Sequence, residues 1–200
     1  IFKVSDLNIK PNGPNEVFAW NSFFKDGVYF ASCGGRWGDR YYLPGEMLTY
    51  ENENWSVLVK KDSVEKATGV PFMDILNIAV DPEDKGHFFL TSWGEGLYEF
   101  RDSVFYKLHN QYNSPLITTI EGARFCRVDG AVFDDSGNLW VLNSPYGVSS
   151  VLSEKTLWAL TPQGEWKGMS YNTMPGAPTW NSILFTSKNQ IWINSLRYIY

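Results

Sequence analysis

His87–Phe100 reads HFFLTSWGEGLYEF, two short apolar runs hinged at Trp93-Gly94-Glu95-Gly96. A Gly-x-Gly between such runs is a phosphate loop, a tryptophan platform for sugars, or a tight corner between strands. A phosphate loop needs a helix behind it, so that the helix N-terminus faces the anion. Here the glycines lead at once into LYEF, a strand pattern. That leaves the corner, in which Gly94 and Gly96 supply backbone angles that other residues avoid. Trp93 is then expected mainly as packing between sheets, with stacking on a bound ligand as its alternative role.

The same layout recurs along the chain. VFAWNSFFKDGVYFAS, ILNIAVDPEDKGHFFLTS, AVFDDSGNLWVLNS and NSILFTSKNQIWINS each hold an apolar strand, a polar turn and a second strand with an aromatic residue. Those second strands end at Ser32, Ser92, Ser144 and Ser195, and the anchors Tyr29, Phe89, Trp140 and Trp192 lie 60, 51 and 52 residues apart. A third strand follows (GEMLTY, GEGLYEF, TLWALT), then a fourth after a polar turn (WSVLV, VFYKL, EWKGM). Four antiparallel strands repeated about every 50 residues mark β-propeller blades, which bury their faces only against one another. The expected fold is therefore all-β: an arc of three to four four-stranded antiparallel blades belonging to a larger propeller. The blades are expected at about 15–60, 72–110 and 125–170, with an incomplete one at 180–200. A β-sandwich would show alternating strands without a period near 50.

Composition agrees. Aromatic residues make up 16% of the 200 residues, with 17 Gly and 10 Pro, a mixture that favours strands and short turns. The net charge of −5, with scattered Lys and Arg, gives no broad attraction to nucleic acid or anionic membrane. No apolar run reaches the ~18 residues of a membrane span, so no membrane insertion is expected in this segment. The chain opens at Ile1 and stops in SLRYIY, so it is expected to be a piece of a longer protein. Cys33 and Cys126 lie far apart in unlike contexts and are expected as two buried thiols rather than a disulfide. DSVEKATGV allows one short helical turn at Ser63–Thr68 or a polar loop.

No catalytic constellation is visible. DPED (Asp81–Asp84) and FDDSGN (Phe133–Asn138) are acidic turns without the spacing of an EF-hand calcium loop. His87 and His109, the only histidines, lie far from either cysteine in the repeat layout, and there is no nucleophile elbow. No metal-ligand spacing occurs, no cofactor is implied, and Glu95, Glu99, Asp134 and Asp135 read as turn or strand-face residues. The most unusual stretch is SCGGRWGDRYYLPGEM, Ser32–Met47, an insertion where the second repeat needs only a tight corner. It reads either as a binding surface, with Arg36, Trp37, Arg40, Tyr41 and Tyr42 as contact residues, or as a strap folded back over a blade edge.

The strand Val80-Asp81-Pro82, the corner Ser92-Trp93-Gly94-Glu95-Gly96-Leu97 and the link Asn113-Ser114-Pro115-Leu116 resemble the PorZ-like β-propeller proteins of the Bacteroidetes type IX secretion system. DDSGNLWVLNS also resembles the two-component regulator propeller repeat. The first resemblance implies a non-enzymatic scaffold in the periplasm or at the outer-membrane surface. Such a scaffold works with a surface sortase and is linked to delivery of anionic lipopolysaccharide. It makes Gly94, Glu95, Gly96, Asn113, Ser114 and Pro115 structural family positions. The second implies an oligosaccharide-sensing propeller of a hybrid two-component kinase, followed by an immunoglobulin-like domain, a membrane span and a kinase. A propeller lyase or glycosidase is the third class. An open arc exposes two blade faces, which a dimer would cover.

Overall fold

The computed structural model describes residues 13–14, 18–36, 40–120, 122–143, 155–170, 180–195 and 199. Among the described residues there are fourteen strands and one short helix, and the pairings between these strands are antiparallel. The first sheet is β1 (Asn21–Lys25), β2 (Val28–Ser32), β3 (Met47–Glu51) and β4 (Asn54–Val57), in chain order. The second is β5 (Ile75–Val80), β6 (Phe88–Gly94), β7 (Leu97–Arg101) and β8 (Val104–His109). The third is β9 (Cys126–Phe133), β10 (Leu139–Asn143), β11 (Lys155–Leu160) and β12 (Trp166–Ser170). A hairpin of β13 (Trp180–Thr186) and β14 (Gln190–Ser195) begins a fourth. This is a β-propeller arc.

Local chemistry sets the meander. Two-residue hairpins match strand twist when both turn residues have φ > 0. Asp26-Gly27, Asn52-Glu53 and Asp102-Ser103 all do. Alternation along each strand then sends side chains to opposite blade faces. Phe30 and Met47 of the first sheet pack with Ile78, Phe88, Leu90 and Phe100 of the second. Ala79, Phe89 and Leu97 pack with Val128, Leu139 and Val141 of the third. Leu142 and Leu157 meet Ile183 and Ile193 of the last hairpin. The core is thus a series of layers between blades.

These layers correct the repeat register by one residue. Phe89 and Trp140 face the following blade, whereas Tyr29 packs with Trp55 and Val57 on the face away from the second sheet. The residue equivalent to Phe89 is Phe30, so the first interval is 59 residues rather than 60. The anchor shifts because Val28-Tyr29-Phe30 offers two adjacent aromatics, and a one-residue slip exchanges the faces.

Lys61–Thr68 forms an eight-residue helix, α1, in the link between the first two sheets, longer than a single turn. Val64 anchors it in the first inter-blade layer, and Gly69 closes it at φ 69. Cys33 and Cys126 are both buried, and no disulfide joins them. Among the described residues no helix is long and apolar enough to cross a membrane.

Candidate functional site

The loops joining second to third strands and the links between blades meet at one end of the arc. The Ser32–Met47 insertion lies there against the second blade. Gly34 N–H donates to the Ile75 carbonyl at 2.9 Å, Asp74 N–H to Leu43 at 3.1 Å and Gly45 N–H to Phe72 at 2.9 Å. A Cβ on Gly34 would stand 2.2 Å from the Ile75 carbonyl oxygen, so only glycine admits this approach. The strap reading therefore describes the ends of the insertion.

Its described side chains reach further. Arg36 Nη2 meets Asp129 Oδ1 of β9 at 3.0 Å, with both side chains buried. Burial pulls the Arg36 guanidinium below its ordinary pKa, and Asp129 opposes that shift. Arg40 Nη1 meets Glu95 Oε1 at 2.7 Å, and its Nη2 donates to the carbonyls of Gly94 and Arg124 at 3.1 and 2.8 Å. Arg124 Nε approaches the other oxygen of Glu95 at 2.9 Å. Burial raises the Glu95 carboxyl above its usual range, and the two arginines work against that rise. A loop of the first blade is thereby tied to the second and third.

Trp93 is 2% exposed, packed with Leu76 and Phe125, while the Arg36 and Arg127 guanidinium carbons lie 5.2 and 4.5 Å from its ring centroid. Arg36, expected among the contact residues, instead lies inside the protein beside Trp93, and Arg40 is mostly enclosed. Trp37 lies outside the described residues. Tyr41 and Tyr42 remain exposed.

The Trp-Gly-Glu-Gly corner is a tight one. Gly94 and Gly96 have φ of 135° and 110°, and Gly96 O accepts from both the backbone N–H and the hydroxyl of Ser92. β6 ends inside the corner, where Trp93 pairs with Arg127 and Gly94 with Cys126, joining the second and third sheets. The Asn113-Ser114-Pro115-Leu116 link is a second knot. Asn113 accepts from Asn110 N–H and donates to Leu108, Ser114 donates to the Asn110 carbonyl, and Leu116 is buried. Asn143 of β10 then grips Ile117 at both its N–H and its carbonyl.

Sequence reasoning missed one cluster. Glu99 takes His109 Nε2 at 2.7 Å and Arg101 Nη2 at 2.7 Å, while His87 Nε2 stands 3.4 Å away and its Nδ1 meets Asp81 at 2.8 Å. Blade three covers it with Phe133 and Trp166. Strand pairing held the signal, since Phe89 lies opposite Glu99 and Leu97 opposite His109. Burial pushes the Glu99 carboxyl up, but hydrogen bonds from His109 and Arg101 outweigh it and leave the group below its ordinary 4.5. A lowered folded pKa stabilises above the unfolded value and is lost as pH falls through the folded one. Glu99→Gln is therefore expected to cost about 2 kcal/mol at pH 7. The gap from wild type should narrow on acidification below 4.5, in urea titrations of both proteins.

The acidic turns are structural. Asp134 accepts from Ser136 N–H, from Asn138 backbone and side chain, and from Trp140 Nε1. Asp81 and Asp84 cap the N–H groups of Glu83 and Gly86. Among the described residues no group of three His, Cys, Asp or Glu is placed to hold a metal.

No protein-family profile matches the chain, and no curated protein matches it in sequence. Solved structures do. PorZ, an essential bacterial surface component of the type IX secretion system of Porphyromonas gingivalis, superposes with a TM-score of 0.77 at 24% identity. That match covers 94% of this chain and 24% of the PorZ chain. The extracellular domain of the putative hybrid two-component system BT4673 from B. thetaiotaomicron gives 0.54 at 14% identity, covering 89% of this chain and 28% of that one. A gluconolactonase from Xanthomonas campestris, XC5397, gives 0.55 at 12%, covering 84% and 50%. The chain thus spans about a quarter of PorZ, and what it shares with all three is the β-propeller fold.

Proposed function

We propose that this chain is an arc of a PorZ-like scaffold. It acts without catalysis in type IX secretion and cell-surface attachment, in the periplasm or at the outer-membrane surface. The observation that carries the reading is the superposition on PorZ, at 0.77 over 94% of the chain against 0.54 for the two-component sensor domain. The Ser-Trp-Gly-Glu-Gly-Leu corner and the Asn-Ser-Pro-Leu link support it as well. Both are built into the joints between blades, where a family motif of structural origin belongs.

A non-catalytic role is supported by the state of the acidic groups. Glu95, Glu99 and Asp134 are each held by two or more structural donors. On this reading the partner is a surface sortase, and anionic lipopolysaccharide is the associated glycan. The two open blade faces, with Phe24 and Tyr50 on one and Leu184 and Trp192 on the other, are exposed here. Further blades cover them, or a second copy does.

Deleting the gene for the full-length protein should release type IX cargo from the cell surface into the medium, and the tagged protein should co-purify with a surface sortase. Normal cargo attachment together with no sortase in the eluate would exclude the scaffold role. An immunoglobulin-like domain, membrane span and kinase following the propeller would favour the sensor instead.

A further inference from the structure

The Arg40 guanidinium is received by an arrangement that a simple ion pair does not need. Nη1 meets Glu95 Oε1 at 2.7 Å, and Nη2 donates to the Gly94 and Arg124 carbonyls at 3.1 and 2.8 Å. Cζ lies 5.1 Å from the centroid of the Phe125 ring, within cation–π range. One planar cation is thus met by a carboxylate, two carbonyls and an aromatic ring. A rigid fork of five donors uses such a set, whereas the compact ammonium of lysine does not.

Gly94 leaves the room for that cation. A Cβ there would stand 2.7 Å from Arg40 Cζ, 2.8 Å from Nη1 and 2.9 Å from a carbon of the Phe125 ring. The acceptors are fixed by contacts other than Arg40. The Glu95 side chain is buried with its second oxygen 2.9 Å from Arg124 Nε, and Gly94 pairs with Cys126. The backbone that delivers Arg40 is fixed as well. Buried Asp74 accepts the N–H groups of Tyr41 and Tyr42 at 3.1 and 3.2 Å and that of Leu43 at 3.0 Å. Host and guest come from different blades: Arg40 from the first, Gly94 and Glu95 from the second, Arg124 and Phe125 from the link into the third. Repeats of this kind ordinarily touch only their neighbours, so this contact adds a coupling that the repeat pattern lacks.

We infer that the Trp-Gly-Glu-Gly corner is a guanidinium-binding site with Arg40 as its resident ligand, and that filling the site closes the first blade's insertion over the seam between the second and third. The Arg40 side chain is 15% exposed, so the site reaches solvent and a free guanidinium ion can enter it once the side chain is removed. The inference rests on this geometry and is independent of the scaffold reading.

The test is chemical rescue in the full-length protein, with guanidinium chloride as the probe and ammonium chloride at equal concentration as the comparison. In Arg40→Ala, amide exchange at residues 94–95 and 124–126 should accelerate at least about tenfold, while Leu139–Asn143 stay protected. Millimolar guanidinium should reverse most of that gain and ammonium should not, and neither should slow exchange in wild type. Arg40→Lys, which keeps the charge, should still exchange faster than wild type. Gly94→Ala should lower the melting temperature less in the Arg40→Ala background than in wild type, because its two nearest contacts are gone. Equal effects of guanidinium and ammonium, wild-type exchange in Arg40→Lys, or no acceleration in Arg40→Ala would each overturn the site. If Arg40→Ala does not fold, Arg40→Lys decides alone: rescue by guanidinium supports the site, and wild-type exchange overturns it.

Discussion

Asp129→Asn is expected to lower the unfolding free energy by about 3–5 kcal/mol. Asp129 sits on β9 and meets Arg36, from the first blade's insertion, at 3.0 Å with both side chains out of water. Asparagine keeps the shape but removes the Asp129 charge that favours the ionised guanidinium, and a buried arginine stays ionised. Arg36 also lies over Trp93, so the disturbance reaches the layer of Leu76 and Phe125. The readout is the urea midpoint followed by tryptophan fluorescence, with an unchanged slope marking a pure stability effect. The double variant Arg36→Met/Asp129→Leu should recover much of the loss, because it removes both desolvated charges together.

Gly96→Ala is expected to cost about 3 kcal/mol by the same readout, combining a strained backbone angle with a steric conflict. The residue has φ 110°, and an added Cβ would lie 2.3 Å from the carbonyl oxygen of His109. That oxygen belongs to the end of β8, where neither chain can withdraw without opening the β6–β7–β8 ladder. Gly27→Ala is the control. Its φ is 85° but no atom lies within 4 Å of the new Cβ, so the backbone effect alone, about 1 kcal/mol, should remain. Equal losses at the two positions would mean that the approach to His109 does not govern the corner.

The fold was legible because its determinants are local. Alternation, two-residue turns and a period near 50 are written within each repeat, and each blade closes by pairing neighbours in sequence. Tyr29 and Phe30 show where local reading stops, since only the blade that each faces distinguishes them. The insertion shows it more sharply. Arg36 and Arg40 have the residue type of a contact surface, but their partners Asp129 and Glu95 are brought up by later blades, and nothing near residue 36 in sequence announces them. The tyrosines beside them are exposed because Asp74, also distant in sequence, occupies the inner side of the loop. Glu99 and the two histidines were harder to foresee as a cluster. The second sheet's register sets their spacing, and the third blade's aromatics enclose them.

The central proposal is that this arc belongs to a non-catalytic scaffold that meets its protein partner at the loop end, where Tyr41 and Tyr42 are exposed. Site-specific photocrosslinking in living cells tests it most directly. A photoreactive phenylalanine derivative is placed at position 42 of the full-length protein, with position 104, exposed on the outer edge of β8, as the comparison site. The account predicts a sortase adduct from position 42 and none from position 104. No adduct at 42, or equal adducts from both positions, would contradict it.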